Sequence, residues 1–482
     1  MKLSLKTKLA YGLAGVGDAA LYTLIGTFLL FFLNTVAGIS PAIAGTIAAV
    51  GAIWETLCGG IVGYISDRTN TRYGRRKPFL LSAAFPLAIF TSLLFKTIDV
   101  GDGFKIFYYG LMLILFWTAF AFFFVPYHAW GAELALDYDE RTTLRGYTYV
   151  LNTIGMAFGM VLPTVIVDYL MDLGTTKSFG WQCVGILCGS LGFVTIFIAA
   201  IIIKDKDEIA WKQNKDNQVK KPQQRLSVIK ENEFRVGKML REYAQVLSLK
   251  STRYVIGASI AYLIGYSIFC ADRIYFLTFN LGLTAGQITA VMAFLTFASV
   301  IFVPFVFVAN KHYDKRTIYI TGMTLCGVTM FAFRFIGFDS LALFIVFGFA
   351  YSVGGICYWQ LIPSMIYDVC EVDELAHNKK RAGVVISLQS LSESASNALG
   401  LQIMGLLLQF SGFDAEASVQ TSVALNWTAH TFSMIPACFM LISVIMIALY
   451  PIKKKNFRQV VKAIEMRKAG EEIHLENFKD LI

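Results

Sequence analysis

The sequence predicts an all-α membrane protein of twelve transmembrane helices in two six-helix bundles. Three observations carry that reading. Of 482 residues, 56% are hydrophobic and 16% charged, against about 45–50% and about 25% in soluble domains. The apolar residues gather into twelve runs, each long enough to cross a hydrocarbon layer of about 30 Å. A hydrophilic segment, about 204–253, parts the first six runs from the second six. With a mean hydropathy of +0.59, a secreted enzyme, a cytosolic enzyme and a nucleic-acid-binding module are excluded. The net charge of +9 sits in the loops, where orientation in the membrane accounts for it better than a nucleic-acid partner does.

The first six runs lie at about 9–36, 41–66, 78–96, 104–130, 147–171 and 180–203. The second six lie at about 254–281, 285–309, 317–337, 341–367, 383–411 and 422–450. Helices are expected because lipid cannot satisfy an open backbone. The division is an N-terminal bundle over 1–203, a central loop over 204–253, a C-terminal bundle over 254–451 and a tail over 452–482. One set of loops carries Arg68, Arg72, Arg75, Arg76 and Lys77, then Arg141 and Arg145, then Lys311, Lys315 and Arg316, then Lys379, Lys380 and Arg381. The other set has only Lys96, Lys105 and Lys177. That asymmetry predicts a multi-pass protein of the cell membrane with both termini cytoplasmic.

Smaller features follow from the same pattern. Asp18 inside the first run, with no small-residue cleavage site, argues against a cleaved signal. The eight cysteines lie mostly in apolar runs without metal-ligand spacing, so free thiols and no metal are expected. Residues 231–249 have helical apolar spacing, which suits a helix on the inner membrane face or one packed on the protein. Membrane lipids are the expected surroundings and a monomer the expected state.

The two halves echo one another. The fourth run leaves the membrane through Pro126 and Glu133, followed by Asp137, Asp139, Glu140, Arg141 and Arg145. The tenth leaves through Pro363 and Asp368, followed by Glu371, Asp373, Glu374, Arg381 and Gly383. Such repetition is a mark of transporters built from two six-helix halves. The most specific motif is Asp67-Arg-Thr-Asn-Thr-Arg-Tyr-Gly-Arg-Arg-Lys-Pro78, directly after the second run. It resembles the loop between helices two and three of the major facilitator superfamily. In its Arg72-Tyr-Gly-Arg-Arg-Lys-Pro78 form it resembles the glycoside–pentoside–hexuronide:cation symporter family. Lys8-Leu-Ala-Tyr-Gly12, Ile53-Trp54-Glu55, Pro126 and the Asp368…Glu371…Arg381…Gly383 series match as well.

The resemblance implies the major facilitator fold and an inner gate built from Asp67, Arg68, Arg72, Arg75, Arg76, Glu133, Asp368, Glu371 and Arg381. The residues themselves suggest that Gly74 allows a tight turn and that the Arg-Arg-Lys cluster anchors to anionic headgroups.

Charges inside spans cost at least about 2.5 kcal/mol at the helix centre, which makes each one a candidate for function. Asp18 and Glu55 are the cation-coupling candidates; the alternative for each is a structural pairing. In the family, helix two carries two carboxylates one turn apart that share the coupling cation. Here the first aligns with Glu55 and the second with Gly59. A lone buried carboxylate is costly as an anion and suits a proton that comes and goes, so H+ is expected over Na+ and no cofactor is expected. The family's sugar-binding aspartates align at Ala19 and Phe124, and its cavity lysine near Glu393 or Ser394.

Sugar recognition needs hydrogen-bonding groups and aromatic faces. The candidates are Asp18, Tyr22, Trp54, Tyr127 and His128 in the first half. Tyr262, Tyr266, Tyr358, Trp359, Gln389, Glu393 and Asn397 are those of the second. Trp130, near a helix end, reads as an interfacial residue, and Asp272 with Arg273 as an external pair. The expected activity is secondary active symport of a glycoside or similar small solute by alternating access. A lysolipid-type carrier and an uncoupled sugar uniporter are the alternatives. A membrane enzyme is disfavoured because the five histidines are dispersed and no HExxH spacing exists.

Overall fold

The structure, a computed structural model, describes residues 3–69, 71, 73–134, 138–203, 236–338, 341–379, 381–415, 417, 419–469, 471, 478 and 481. Among them there is no β-strand, and eleven helices are long and apolar enough to cross a membrane. The first half comprises α1 (Leu5–Thr35), α2 (Pro41–Arg68), α3 (Lys77–Leu94), α4 (Asp102–Leu134), α5 (Tyr138–Asp172) and α6 (Lys177–Ile202). After α7 (Val236–Ser248) come α8 (Lys250–Tyr275), α9 (Ala285–His312), α10 (Lys315–Ile336), α11 (Leu341–His377) and α12 (Ala382–Phe410). Then α13 (Ser422–Ala429) and α14 (Ile435–Leu449) are joined by a π-helical turn at His430–Met434, and α15 (Lys454–Lys468) follows. Pro436 has no N–H to return to the helix, and the widened turn just before it accommodates that loss.

The helices start and stop where local chemistry allows. The Ser4 hydroxyl accepts from Thr7 N at 3.2 Å and caps α1. Pro41 opens α2, where its missing N–H is harmless. Between α2 and α3, Gly74 takes φ 95° while its N–H donates to Thr71 O at 3.0 Å, which makes the expected tight turn. Two expected ends are wrong in an informative way. α4 continues to Leu134 and α11 to His377, past their apolar runs. No proline or glycine interrupts the acidic stretch after Met365, so the helix runs on until Asn378, whose φ is 52°. Asp368, Glu371, Asp373 and Glu374 therefore sit on a helix rather than in a loop.

The chain forms two compact units. One holds the described residues within 1–221 together with those within 270–293 and 401–428. Within it α1 is the central helix, packed on α5, α6 and α2, while α3 packs on α6 and α4. Small residues permit the close approach of α1 and α5. A Cβ on Gly155 would lie 2.8 Å from Val16 Cα, and one on Gly159 would lie 3.0 Å from Ala20 Cα.

The 270–293 and 401–428 segments are bound into this unit. Tyr275 donates to Leu30 O at 3.2 Å, Arg273 Nη2 reaches Thr27 Oγ1 at 3.5 Å, and Gly405 lies against Gly45. Asp272 and Arg273 are both buried, which corrects their reading as an external pair.

The other unit holds the described residues within 222–269, 294–400 and 429–482. Here α10 packs on α11 and α14, and α15 packs on α11. The amphipathic segment is α7, and it packs on protein. Its Val246 is buried, its Tyr243 hydroxyl lies 3.1 Å from Ser387 Oγ, and its Gln245 meets Arg381.

Candidate functional site

In the first unit the intramembrane carboxylates come together. Asp18, on α1, is 6% exposed. Its Oδ2 lies 3.9 Å from His128 Nε2 on α4, and its Oδ1 has no hydrogen-bond donor among the described residues. Glu55 on α2 is close enough to Asp18 for the two negative charges to repel. His128 is half-exposed and lies against the Phe124 ring at 4.3 Å. Phe124 in turn stacks on Phe120, and Tyr22 lies 6.0 Å from Phe120 and 5.9 Å from Trp117.

Two other aromatic candidates are occupied elsewhere. Trp54 donates its indole N–H to Thr118 Oγ1 at 2.9 Å and packs against Cys58, Val62 and Ala121. Tyr127 is fully buried and stacks on Tyr11 at 4.5 Å. The two exchange hydrogen bonds, Tyr127 Oη to Tyr11 O at 2.9 Å and Tyr11 Oη to Tyr127 O at 3.1 Å. Trp130 is also fully buried, which overturns the interfacial reading: α4 extends beyond it and packing covers the ring.

Sequence reasoning passed over Asn152. It sits on α5 against Gly15, where a Cβ would meet its side-chain amide, and its buried Oδ1 has no partner among the described residues. The available signal was an amide in the interior of an apolar run.

In the second unit α8, α11 and α12 assemble a polar and aromatic cluster. The Tyr262 and Tyr358 rings stack at 4.0 Å, Tyr266 stacks on Tyr262 at 5.8 Å, and Trp359 stands edge-on to Tyr266 at 6.1 Å. Ser259 Oγ lies 2.7 Å from Tyr358 Oη. Gln389 Nε2 donates to Ser259 Oγ at 2.7 Å and to Glu393 Oε1 at 2.9 Å. Both amide protons of Gln389 are thus used, whereas its buried Oε1 and the Tyr262 hydroxyl have no partner among the described residues. Asn397 is placed one turn further along α12, and its carbonyl accepts from Ser267.

The expected gate residues divide. The side chains of Asp67, Arg68 and Glu133, and Arg72 as a whole, lie outside the described residues. Arg75 is exposed, but Arg76 and Lys77 are buried, and Arg76 Nη1 donates to Ser66 Oγ at 2.9 Å. Those two cannot anchor to headgroups; the protein itself satisfies Arg76 at the end of α2.

Asp368 receives Lys315 Nζ at 2.7 and 2.8 Å. Arg381 grips Asp373 with Nε at 2.8 Å and Nη2 at 2.9 Å, and donates Nη1 to Gln245 Oε1 at 2.7 Å. The hydrogen-bonded Asp373 carboxylate raises the Arg381 pKa above its ordinary value. Glu371 is half-buried beside these pairs. Lys315, Asp373 and Gln245 are therefore the partners that sequence reasoning did not assign.

Residues 10–454 match the MFS/sugar transport protein family. The chain belongs to that family. It is 26% identical over 99% of its length to the symporter YnaJ of Bacillus subtilis, covering 98% of that protein. To the isoprimeverose transporter of Lactiplantibacillus pentosus it is 23% identical, over 93% of this chain and 88% of the relative. The fold is shared with the xylose transporter XylE from Escherichia coli, with a TM-score of 0.61 at 13% identity, over 96% of this chain and 99% of that one. The glycoside–pentoside–hexuronide:cation resemblance stands with these relatives. The protein is a multi-pass membrane transporter rather than an enzyme, from a family of cation-coupled sugar symporters.

Proposed function

We propose that this protein is a proton-coupled symporter that carries a glycoside or related neutral sugar across the cell membrane by alternating access. Twelve spans are proposed, with α12 among them despite its polarity. Both termini and the 204–253 segment are assigned to the cytoplasm, and the working unit is a monomer. The halves are assigned as 1–203 and 254–451, with 452–482 as a tail.

The observation that supports proton coupling is Asp18, whose buried Oδ1 has no donor among the described residues and which lies near Glu55 and His128. Gly59 stands one turn beyond Glu55, where a second carboxylate of α2 would complete a sodium-binding set. Sodium needs several hard oxygens, whereas one proton neutralises one carboxylate. Neutralisation removes the cost of an anion in the interior, at least about 2.5 kcal/mol, and switching is permitted once proton and sugar are both bound.

The half-exposed Trp359 ring and the Gln389–Glu393 pair are the proposed sugar contacts of the second unit, backed by the fully buried Tyr262–Tyr358 stack. The Glu393 carboxylate disfavours sugar acids by like-charge repulsion. In proteoliposomes, an imposed inward proton gradient should drive accumulation of labelled glycoside without sodium. Glu55→Gln should abolish accumulation and leave exchange intact. Uptake that ignores the proton gradient and requires sodium, or full accumulation by Glu55→Gln, refutes the proposal.

A further inference from the structure

A polar cavity lies in the unit that holds α10 and α15, apart from the residues discussed above for coupling and sugar binding. Its volume is about 160 Å³. It is walled by the α9–α10 turn, the Asp368 turn of α11 and the segment that joins α14 to α15. Four cations line it, Lys315, Arg316, Lys453 and Lys454, against two carboxylates, Asp314 and Asp368. Aromatic rings complete the wall, and Lys315 Nζ stands 5.9 Å above the Phe457 ring.

Two helices begin here, α10 at Lys315 and α15 at Lys454, and neither has a side-chain cap from its own N-cap residue. The first N–H groups of a helix lack intrahelical acceptors and favour negative charge. Asp314 shows that chemistry in place: its Oδ1 accepts from Lys454 N at 3.1 Å.

We infer that this cavity binds a phosphate-bearing anion, either the headgroup of an acidic phospholipid or a soluble phosphorylated solute. Lys315, Lys453, Lys454 and Arg316, whose guanidinium also donates to Ala448 O, come from two separate segments and so offer a tetrahedral oxyanion donors from several directions. Tyr313, exposed at the mouth, is a residue type that settles at a membrane interface.

The site also has a built-in competitor. Lys315 is held by Asp368 at 2.7 Å, so an anion that draws on Lys315 must share it with that carboxylate. Occupancy is thereby linked to the Lys315–Asp368 pair at the end of α11. The inference does not depend on which ion or sugar is carried.

The test uses the purified full-length chain in detergent, with native mass spectrometry of retained phosphatidylglycerol against phosphatidylcholine, and thermal-shift titration with inorganic phosphate. The wild type should retain phosphatidylglycerol preferentially. Lys453→Gln with Lys454→Gln, on an exposed stretch, should weaken that preference by about thirtyfold, given about 1 kcal/mol for each of the two basic residues near anionic lipid. Asp368→Asn, which releases Lys315 from its competitor, should strengthen it. A purely structural role for these residues would not yield opposite signs. Stabilisation by phosphate with loss of lipid retention on adding it supports a soluble ligand at the same site. Lipid retention without any response to phosphate supports the headgroup. Equal retention of both lipids with no phosphate shift, or retention unchanged across the variants, overturns the inference.

Discussion

Arg381→Gln strands a carboxylate. Asp373 is 1% exposed and Arg381 7% exposed, and two hydrogen bonds of 2.8 and 2.9 Å join them. With both side chains out of water, solvent screening does little to weaken the pair. Removing one partner of a buried pair costs about 3–5 kcal/mol, chiefly because the remaining charge is left uncompensated. His377 Nδ1, 3.0 Å from Asp373 Oδ1, supplies one further contact, so the lower half of that range is expected.

At about 2 °C per kcal/mol, the apparent Tm of the detergent-solubilised protein should fall by roughly 6–8 °C. Asp373→Asn leaves Arg381 with Gln245 as a remaining acceptor and should cost less. The double variant should recover most of the Arg381→Gln loss, because no charge is then stranded. The measurement is a double-mutant cycle on apparent Tm. Additive losses, or a negligible effect of Arg381→Gln, would refute the reasoning.

Other substitutions separate packing from recognition. Gly155→Ala places a Cβ against the Val16 backbone and should destabilise by about 1–3 kcal/mol or more, read as a lower Tm; Gly146→Ala, where a Cβ meets nothing within 4 Å, is the control and should leave Tm unchanged or slightly raised, because alanine is the better helix former. Tyr127→Phe removes the donor to Tyr11 O, so a loss of about 0.5–1.5 kcal/mol with sugar affinity retained is expected in parallel melting and binding assays. A large loss of affinity instead would show that the buried tyrosine serves the site. Gln389→Ala breaks the link between Ser259 and Glu393 and should weaken glycoside binding by about tenfold, on the scale of one hydrogen bond, as measured by calorimetry on the purified protein.

What could be read in the sequence was what depends on local pattern. Apolar runs located the long helices, and the Gly74 turn followed from one residue's conformational freedom. The acid-rich segments misled because polarity was taken as a loop signal. α11 instead continues to His377, which puts Asp373 and His377 four residues apart on one helical face. Pairings across distant segments were beyond reach: nothing local announces that Lys315 will meet Asp368, or that Tyr127 will be consumed by Tyr11, 116 residues away. Trp130 failed for a related reason, since an aromatic residue beside a polar stretch looks interfacial until the helix is seen to run past it.

The polar α12 joins these points. Its Gln389, Ser390, Ser392, Glu393, Ser394, Ser396 and Asn397 lower its hydropathy, and it is the long helix missing from the eleven that pass on length and apolarity. Several of these groups are satisfied within the helix: Ser392 donates to Leu388 O at 2.8 Å and Ser396 to Ser392 O at 2.6 Å. A serine that returns its hydroxyl to the preceding turn exposes little polarity. Gln389 instead reaches Ser259 on α8, and Gly400 lies close against Ser267 of the same helix. Ser392 and Ser396 are thus neutralised at home, whereas the Gln389 amide reaches a neighbouring helix and binds the Glu393 carboxylate as well. Gln389 and Glu393, rather than Ser392 and Ser396, are therefore the residues of α12 to test first.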